Sequence, residues 1–363
     1  MPTYRRAGLA AALAAAPFAL AYRFALVYRV RAGYPRQHPP IVTPDAFGLP
    51  YEAVEVPTVL GQVLPGWFIP ARDGAPGPGV ALVHGWESAR DRTLPNARFL
   101  NAAGFHVLTV DVRGHGANPP EELPVSAGEF GADARAAFRG LMARPEVTSG
   151  AILGHSMGSV GAVLAAAAEP DVRALVATAT PADPYRLTRE TFRLAHLPLP
   201  DPIAYPLAWL TTRVYLRPRR HRVLDVSASR AIARFRGPIL LVHGALDDVV
   251  PVAHLRRLEA SARGARSAAA GAAIRSLVLD EGRHSWMYEF PAYRRAVASF
   301  LAEALGGPLT PDEAGEVAAS VAVERIPDAE TRFAAVAAEP GGFRTLARIA
   351  RPGALEPPST LDP

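Results

Sequence analysis

At 363 residues the chain is long enough for one α/β domain of ordinary size with extensions, and such a core needs no covalent staple. It holds no cysteine, which excludes disulfides, a cysteine nucleophile and thiolate metal sites and leaves the redox compartment undetermined. All 39 basic side chains are arginine, so Schiff-base and phosphate-loop lysine chemistry lose their key group; the net charge of +5, with no array of base-stacking aromatics, follows codon bias rather than a nucleic-acid footprint.

Residues 7–22 carry no charge and are mostly alanine and leucine, with Arg5 and Arg6 before them and Arg23, Arg29 and Arg31 after. The uncharged stretch, at about 1.5 Å per residue, falls short of a hydrocarbon layer about 30 Å thick, whereas extension to Val30 with Arg23 and Arg29 snorkelling gives the reach. Phe24-Ala25-Leu26-Val27-Tyr28 continues the apolar character, and Tyr22, Tyr28 and Tyr34 suit an interface. The expectation is a membrane anchor over residues 7–30, its orientation open because arginines flank both ends. A secretory signal cleaved near Ala19-Leu20-Ala21, or a leader lying on a cytoplasmic protein, are the alternatives.

Pro35 to Pro50 reads as a connector, Tyr51 to Val56 alternates as an edge strand should, and 63–69 supplies its neighbour. Apolar runs at 79–83, 105–110, 173–180, 238–244 and 275–281, with another from residue 150, alternate with helical patterns at 94–103, 130–144, 156–168, 228–235, 252–263 and 289–305. That rhythm predicts an α/β fold, a mostly parallel sheet with helices on both faces. Residues 181–226 break it. They mix Phe192, Leu194, Tyr205, Trp209 and Tyr215 with prolines and the arginine-rich run 217–222, and are too long for a connection, which predicts a cap over the sheet's rim. Its apolar residues suit an acyl chain or simply pack the cap; its arginines suit an acidic substrate, a headgroup or water. The organisation is thus 1–36 as an anchor or signal-like segment, 37–305 as the main domain with its cap, and 306–363 as an extension without an assigned role, holding a candidate helix pair at 311–324 and 328–338.

The chemistry enters at residues 150–158, an apolar run that breaks into Gly154-His155-Ser156-Met157-Gly158 and then an alanine-rich helix. A serine on a tight strand-to-helix corner needs small neighbours two before and two after, and the corner aims the first N–H groups of the helix at a developing oxyanion. A serine hydroxyl is a weak nucleophile that needs a base and a group to orient that base. Asp247 follows the apolar run 238–244, and His284 follows the run 275–281. The C-terminal ends of parallel strands share one rim, so Ser156, Asp247 and His284 can converge.

These motifs, together with His84-Gly85-Trp86 after the run 79–83 and Asp111-Val112-Arg113-Gly114-His115-Gly116 after 105–110, resemble the α/β-hydrolase superfamily, in particular bacterial esterases and serine aminopeptidase-like proteins, from about residue 50 to 305. The resemblance implies the α/β-hydrolase fold, Ser156 as nucleophile, His284 as general base and acid, Asp247 as orienting acid, and backbone N–H donors at Trp86 and Met157 for the oxyanion. One departure is Ser159, where many relatives carry glycine.

Asp248 and Asp183 compete with Asp247 for the acid. His84, His115 and His155 belong to turns and are expected to bond backbone, His106 and His243 read as core, and His38, His196, His221 and His254 read as solvated. Asp111 and Arg113 are expected to pin a loop by a charge-assisted pair. There is no His-Glu-x-x-His, no paired-histidine ligand spacing and no dinucleotide-binding glycine motif, so neither a metal nor a cofactor is expected. The resulting expectation is a serine hydrolase cleaving an ester with water as second substrate, on a small, partly hydrophobic acyl substrate. Peptidase or acyl-thioesterase activity is the alternative within the fold, and a non-catalytic ligand- or partner-binding protein the alternative outside enzymes.

Overall fold

The computed structural model describes residues 2–72, 74–266, 273–323, 325–326 and 355. Strands β1 (Glu52–Pro57), β2 (Val63–Ile69), β3 (Gly77–Val83), β4 (His106–Val110), β5 (Val147–His155), β6 (Val172–Thr178), β7 (Ile239–Gly244) and β8 (Ile274–Leu279) form one 8-stranded sheet in the order β1-β2-β4-β3-β5-β6-β7-β8. β2 runs antiparallel to both β1 and β4, and every other pairing is parallel.

The continuous apolar runs of the central strands are explained by two cores, because side chains alternate between faces. Ala81, Val83, Ile152, Leu175, Ala177, Ile239 and Leu241 point into one core, shared with helices α3 (Ala127–Met142), α4 (Met157–Ala168), α7 (Ala228–Ile232) and α8 (Ala253–Gly264). Their neighbours Val80, Leu82, Ala151, Leu153, Ala174, Val176, Leu240 and Val242 face the other core, with α2 (Leu94–Ala102), α9 (Pro291–Leu305) and α10 (Pro311–Ser320). The predicted parallel sheet with helices on both faces is the architecture the chain adopts. α3 begins ahead of the predicted residue 130 because Ser126 caps it: Gly128 N–H donates to the Ser126 hydroxyl (3.2 Å) and Ser126 N–H to Glu129 (2.9 Å).

Residues 181–226 contain α5 (Pro184–Leu194) and α6 (Asp201–Leu216), which build a small core of their own around Phe192, Leu197 and Ala208. The arginine-rich run that follows is used for attachment. Arg219 pairs with Glu121 and His221 with Glu129 (2.8 Å), so His221 is not the solvated residue its loop position suggested.

The N-terminal helix α1 (Pro2–Ala32) divides where the sequence predicted one apolar unit over 7–30. Positions 10–20 are exposed on every side, whereas Ala25, Val27 and Val30 are buried. Phe24 meets the edge of Phe192 at 5.3 Å, and Tyr28 meets Phe192 and Tyr215 at 6.1 Å, so of the three tyrosines that suggested a membrane interface Tyr28 is spent on the cap, while Tyr22 is exposed. Beyond α1 the chain is sewn to the main domain by Val125 N–H to Gly33 O (2.8 Å), Arg36 N–H to Glu87 (3.1 Å) and Ile41 N–H to Asp91 (2.8 Å).

At the other end α10 packs on α9. The buried Arg294 guanidinium donates to the carbonyls of Ala318 (3.0 Å), Ala319 (2.7 Å) and Tyr288 (2.7 Å). α10 stops at Ser320, short of the predicted 324, and the predicted helix over 328–338 lies outside the described residues.

Candidate active site

β5 runs into the corner at Ser156, whose φ of +53° is a left-handed conformation that a side-chain-bearing residue rarely adopts. The flanking glycines make the corner fit. A Cβ at Gly154 would stand 2.5 Å from the Gly158 carbonyl oxygen, and one at Gly158 would stand 2.1 Å from that of His84. Gly158→Ala must therefore push two backbones apart. It is expected to cost about 2–3 kcal/mol in a urea titration, whereas Gly264→Ala, whose Cβ would meet nothing within 4 Å, should stay within about 1 kcal/mol of the parent.

The loops after β7 and β8 are laced to each other, which brings their side chains together. Ala245 N–H donates to Leu279 O (2.8 Å) and Leu246 N–H to Gly282 O (2.9 Å), and a Cβ on Gly244 would lie 2.3 Å from Gly282 O. Asp247 and His284 emerge from these loops. His284 Nδ1 lies 2.8 Å from Asp247 Oδ2, and His284 Nε2 lies 2.9 Å from Ser156 Oγ. With the carboxyl ionised, Nδ1 carries the proton and donates to it, so Nε2 is the bare nitrogen that accepts from the serine hydroxyl.

Asp247 is 6 % exposed, and burial works to raise its carboxyl pKa. Hydrogen bonds from His243 and His284, the charge of His284 and the Val250 N–H outweigh burial and hold it well below the usual carboxylate range. Its Oδ1 accepts from Val249 N–H (3.0 Å) and Val250 N–H (2.8 Å). His243, which the strand pattern assigned to the core, is buried, and its Nε2 lies 2.7 Å from Val250 O and 3.3 Å from Asp247 Oδ2. Only its place four residues before Asp247 could have signalled that second role.

The competing carboxylates are engaged elsewhere. Asp183 accepts from Ser227 (2.7 Å) and Ser229 (2.5 Å) at the start of α7, while Asp248 is exposed and its carbonyl takes Arg193. Asp111 and Arg113 do not pair with each other as expected: Asp111 binds Arg90 and Arg113 binds Asp133, because the intervening turn sends them in different directions. His84 and His115 bond backbone through Gly85 O (2.8 Å) and Arg113 O (3.0 Å). His155 instead approaches the Thr178 hydroxyl (3.2 Å), with its ring 5.2 Å from that of His284. Burial, reinforced by His284, lowers its pKa to about 3 and keeps it neutral. His254, expected to be solvated, is buried and accepts from Ala182 N–H (2.9 Å).

The loop after β3 brings Gly85 against the serine, where an added Cβ would lie 3.3 Å from Ser156 Cβ, and so sets Trp86 beside it. Met157 opens α4. Among the described residues neither the Trp86 nor the Met157 N–H has a backbone acceptor. Both residues line a cavity of about 630 Å³ with Ser156 and His284. Its wall is mostly apolar, drawn from the sheet rim (Leu153, Val160), the cap (Leu187, Leu194, Leu216), Tyr28 and Ala32 of α1, and Arg325 and Ile326 beyond α10. Both chain extensions therefore reach the cavity, which the sequence did not suggest. Arg325 sits over the Trp286 ring, 3.9 Å from its centroid, and pairs with Glu289 (2.7 Å). Among the described residues no group of three or more His, Asp or Glu side chains is placed to hold a metal ion.

A family model described as "Serine aminopeptidase, S33" matches residues 74–216. Two uncharacterized proteins of Mycobacterium tuberculosis, from strains CDC 1551 / Oshkosh and H37Rv, are each 33% identical over 214 residues, covering 58% of this chain and 66% of their own length. Among solved structures, the Pyrococcus furiosus esterase Pf2001 matches with a TM-score of 0.58 at 23% identity, over 75% of this chain and 100% of its own. The Pyrococcus horikoshii acylaminoacyl peptidase matches with a TM-score of 0.55 at 14% identity, over 74% of this chain and 44% of its own. What these structures share with the chain is the fold.

Proposed function

We propose that the chain is a serine hydrolase of the α/β-hydrolase superfamily, and that it cleaves a carboxylic ester through Ser156, His284 and Asp247 by way of an acyl-enzyme. The reading rests on one observation, the unbroken chain of hydrogen bonds from Ser156 Oγ to His284 Nε2 (2.9 Å) and from His284 Nδ1 to Asp247 Oδ2 (2.8 Å). Ser156 attacks the acyl carbonyl as His284 takes its proton, and the backbone N–H groups of Trp86 and Met157 hold the oxyanion. His284 then hands the proton to the departing alcohol, and water, deprotonated by the same imidazole, releases the acid. Asp247 holds the tautomer and offsets the imidazolium charge throughout. The apolar cavity favours an acyl ester over a charged peptide terminus as substrate. The description of the matching family model supplies the second reading, an aminopeptidase-type amide hydrolase using the same groups.

The test is labelling with a fluorophosphonate. The full-length protein should be labelled and Ser156→Ala should not; equal labelling of the two, or none of the wild type, would exclude this nucleophile. For the membrane, the proposal narrows from residues 7–30 to the exposed first part of α1, up to about Leu20.

A further inference from the structure

We propose that α1 works as one wall of the acyl site and as the membrane contact at once, so that the substrate is a long-chain acyl ester dissolved in a bilayer; this rests on the serine-hydrolase reading above. Positions 8 and 10–20 of α1 are exposed all round, including Leu13 at 66%, Phe18 at 77% and Leu20 at 67%. The span Ala10–Ala32 has a window of mean hydropathy 1.7 that is only 11% buried. A helix that is apolar on every side gains nothing by lying on a protein surface or in water, and the solvent that suits it is hydrocarbon. From Ala7 to Leu20, at about 1.5 Å per residue, the uncharged turns reach about 21 Å, enough to enter the roughly 30 Å of a hydrocarbon core, with Arg5 and Arg6 beyond them as residue types that snorkel to headgroups. Tyr22 and Arg23 follow, residue types that suit the headgroup boundary.

The same helix then enters the catalytic cavity. Leu20 to Tyr28 is eight residues, about 12 Å along the axis, and Tyr28 and Ala32 line the cavity that holds Ser156 and His284. Tyr28 is fixed there, its hydroxyl accepting from Thr191 on α5 (3.1 Å) and its ring set edge-on against Phe192 and Tyr215 at 6.1 Å. Tyr215 in turn donates to the Ala32 carbonyl (3.2 Å) at the end of α1. α1 runs from Pro2 to Ala32 with Pro17 inside its exposed part, and the turns from Leu20 to Tyr28 that join that part to the cavity wall contain neither proline nor glycine. Once the first turns are in lipid, the apolar cavity is held within a few helical turns of the bilayer, where a long-chain ester reaches it without crossing water.

The experiment uses the full-length protein with phosphatidylcholine vesicles carrying nitrophenyl palmitate, and nitrophenyl butyrate in solution. Two variants separate the roles: Leu13→Glu/Phe18→Glu/Leu20→Glu, outside the cavity, and Tyr28→Ala, inside it. The wild type should float with the vesicles and cleave both esters. The triple variant should stay in the aqueous layer, keep butyrate turnover within about twofold and lose at least about tenfold on the vesicle ester. Tyr28→Ala should still float, with palmitate turnover down at least about fivefold and butyrate less affected. The inference is overturned if the wild type does not float, if it instead self-associates through α1 without binding vesicles, or if either variant cleaves the vesicle ester like the wild type. A wild type that floats but cleaves neither ester overturns the hydrolase reading itself.

Discussion

Replacing His284 by alanine is expected to lower kcat for nitrophenyl butyrate by about a million-fold, and replacing Asp247 by asparagine by about ten-thousand-fold. The two figures differ because the side chains do different work. Among the described residues the imidazole of His284 is the base bonded to Ser156 Oγ, and His155, whose ring lies 5.2 Å from that of His284, is already bonded at Thr178. In Asp247→Asn the imidazole remains, but an amide N–H facing Nδ1 selects the tautomer whose proton sits on Nε2, the wrong end for accepting from serine. His243 sharpens the comparison: its Nε2, 3.3 Å from Asp247 Oδ2, helps aim the carboxylate, and its bond to Val250 O survives the substitution. The control is Asp183→Asn, which loses acceptor strength at Ser227 and Ser229 and so costs stability, yet should leave kcat within about threefold. Circular dichroism melting of each variant separates unfolding from loss of chemistry. If Asp183→Asn were the crippled enzyme and Asp247→Asn nearly normal, the orienting acid would be at the end of β6 rather than β7.

The corner, the strand ends and the parallel sheet were legible because they rest on local rules: glycine where no Cβ fits, apolar runs of strand length, and the shared rim that parallel strands create. What escaped were contacts made between distant segments. The apolar run of α1 looks the same in sequence at Leu13, which is exposed, and at Val27, which is buried; only Phe192 and Tyr215, far along the chain, distinguish the two halves. His254 carries no local mark of burial because its acceptor role is set by the Ala182 N–H across the α8 face. Arg325 and Ile326 reach the cavity through partners far away in the sequence, Arg325 on Glu289 and Trp286 and the Ile326 carbonyl on Arg92, after Arg294 has tied the end of α10 back onto α9. In each case the residue is visible in the sequence and its partner is not, since periodicity specifies which face is buried but not what buries it.

Acidification is expected to unfold the protein steeply below pH 6.5, and the cause is histidines that the fold keeps neutral. Burial, with His284 adding to it, lowers His155 to about 3; burial and His84 lower His115 to about 3; burial lowers His254 to about 4. In the unfolded chain all three take protons near 6.5, whereas in the fold they do not until pH 3–4. Between those limits the unfolded state binds more protons, so stability rises with pH and is lost as pH falls through the window. Each fully uncharged histidine contributes a slope of at most about 1.4 kcal/mol per pH unit, about 4 kcal/mol per unit for the three together, against a total of about 5–15 kcal/mol for an ordinary domain. Asp247, held below the usual carboxylate range, adds its own loss of stability only at still lower pH, as the fold tries to keep it charged while the unfolded chain protonates. Urea midpoints should therefore fall markedly from pH 7 to 5, with native signal lost by about pH 4. His254→Gln, whose amide oxygen can still accept from Ala182 N–H, should flatten the decline by about a third without touching Ser156 or His284. A midpoint that does not move between pH 7 and 5 would mean that these rings are protonated in the native state, and that the cores around them are wetter than the packing of α3, α4 and α8 allows.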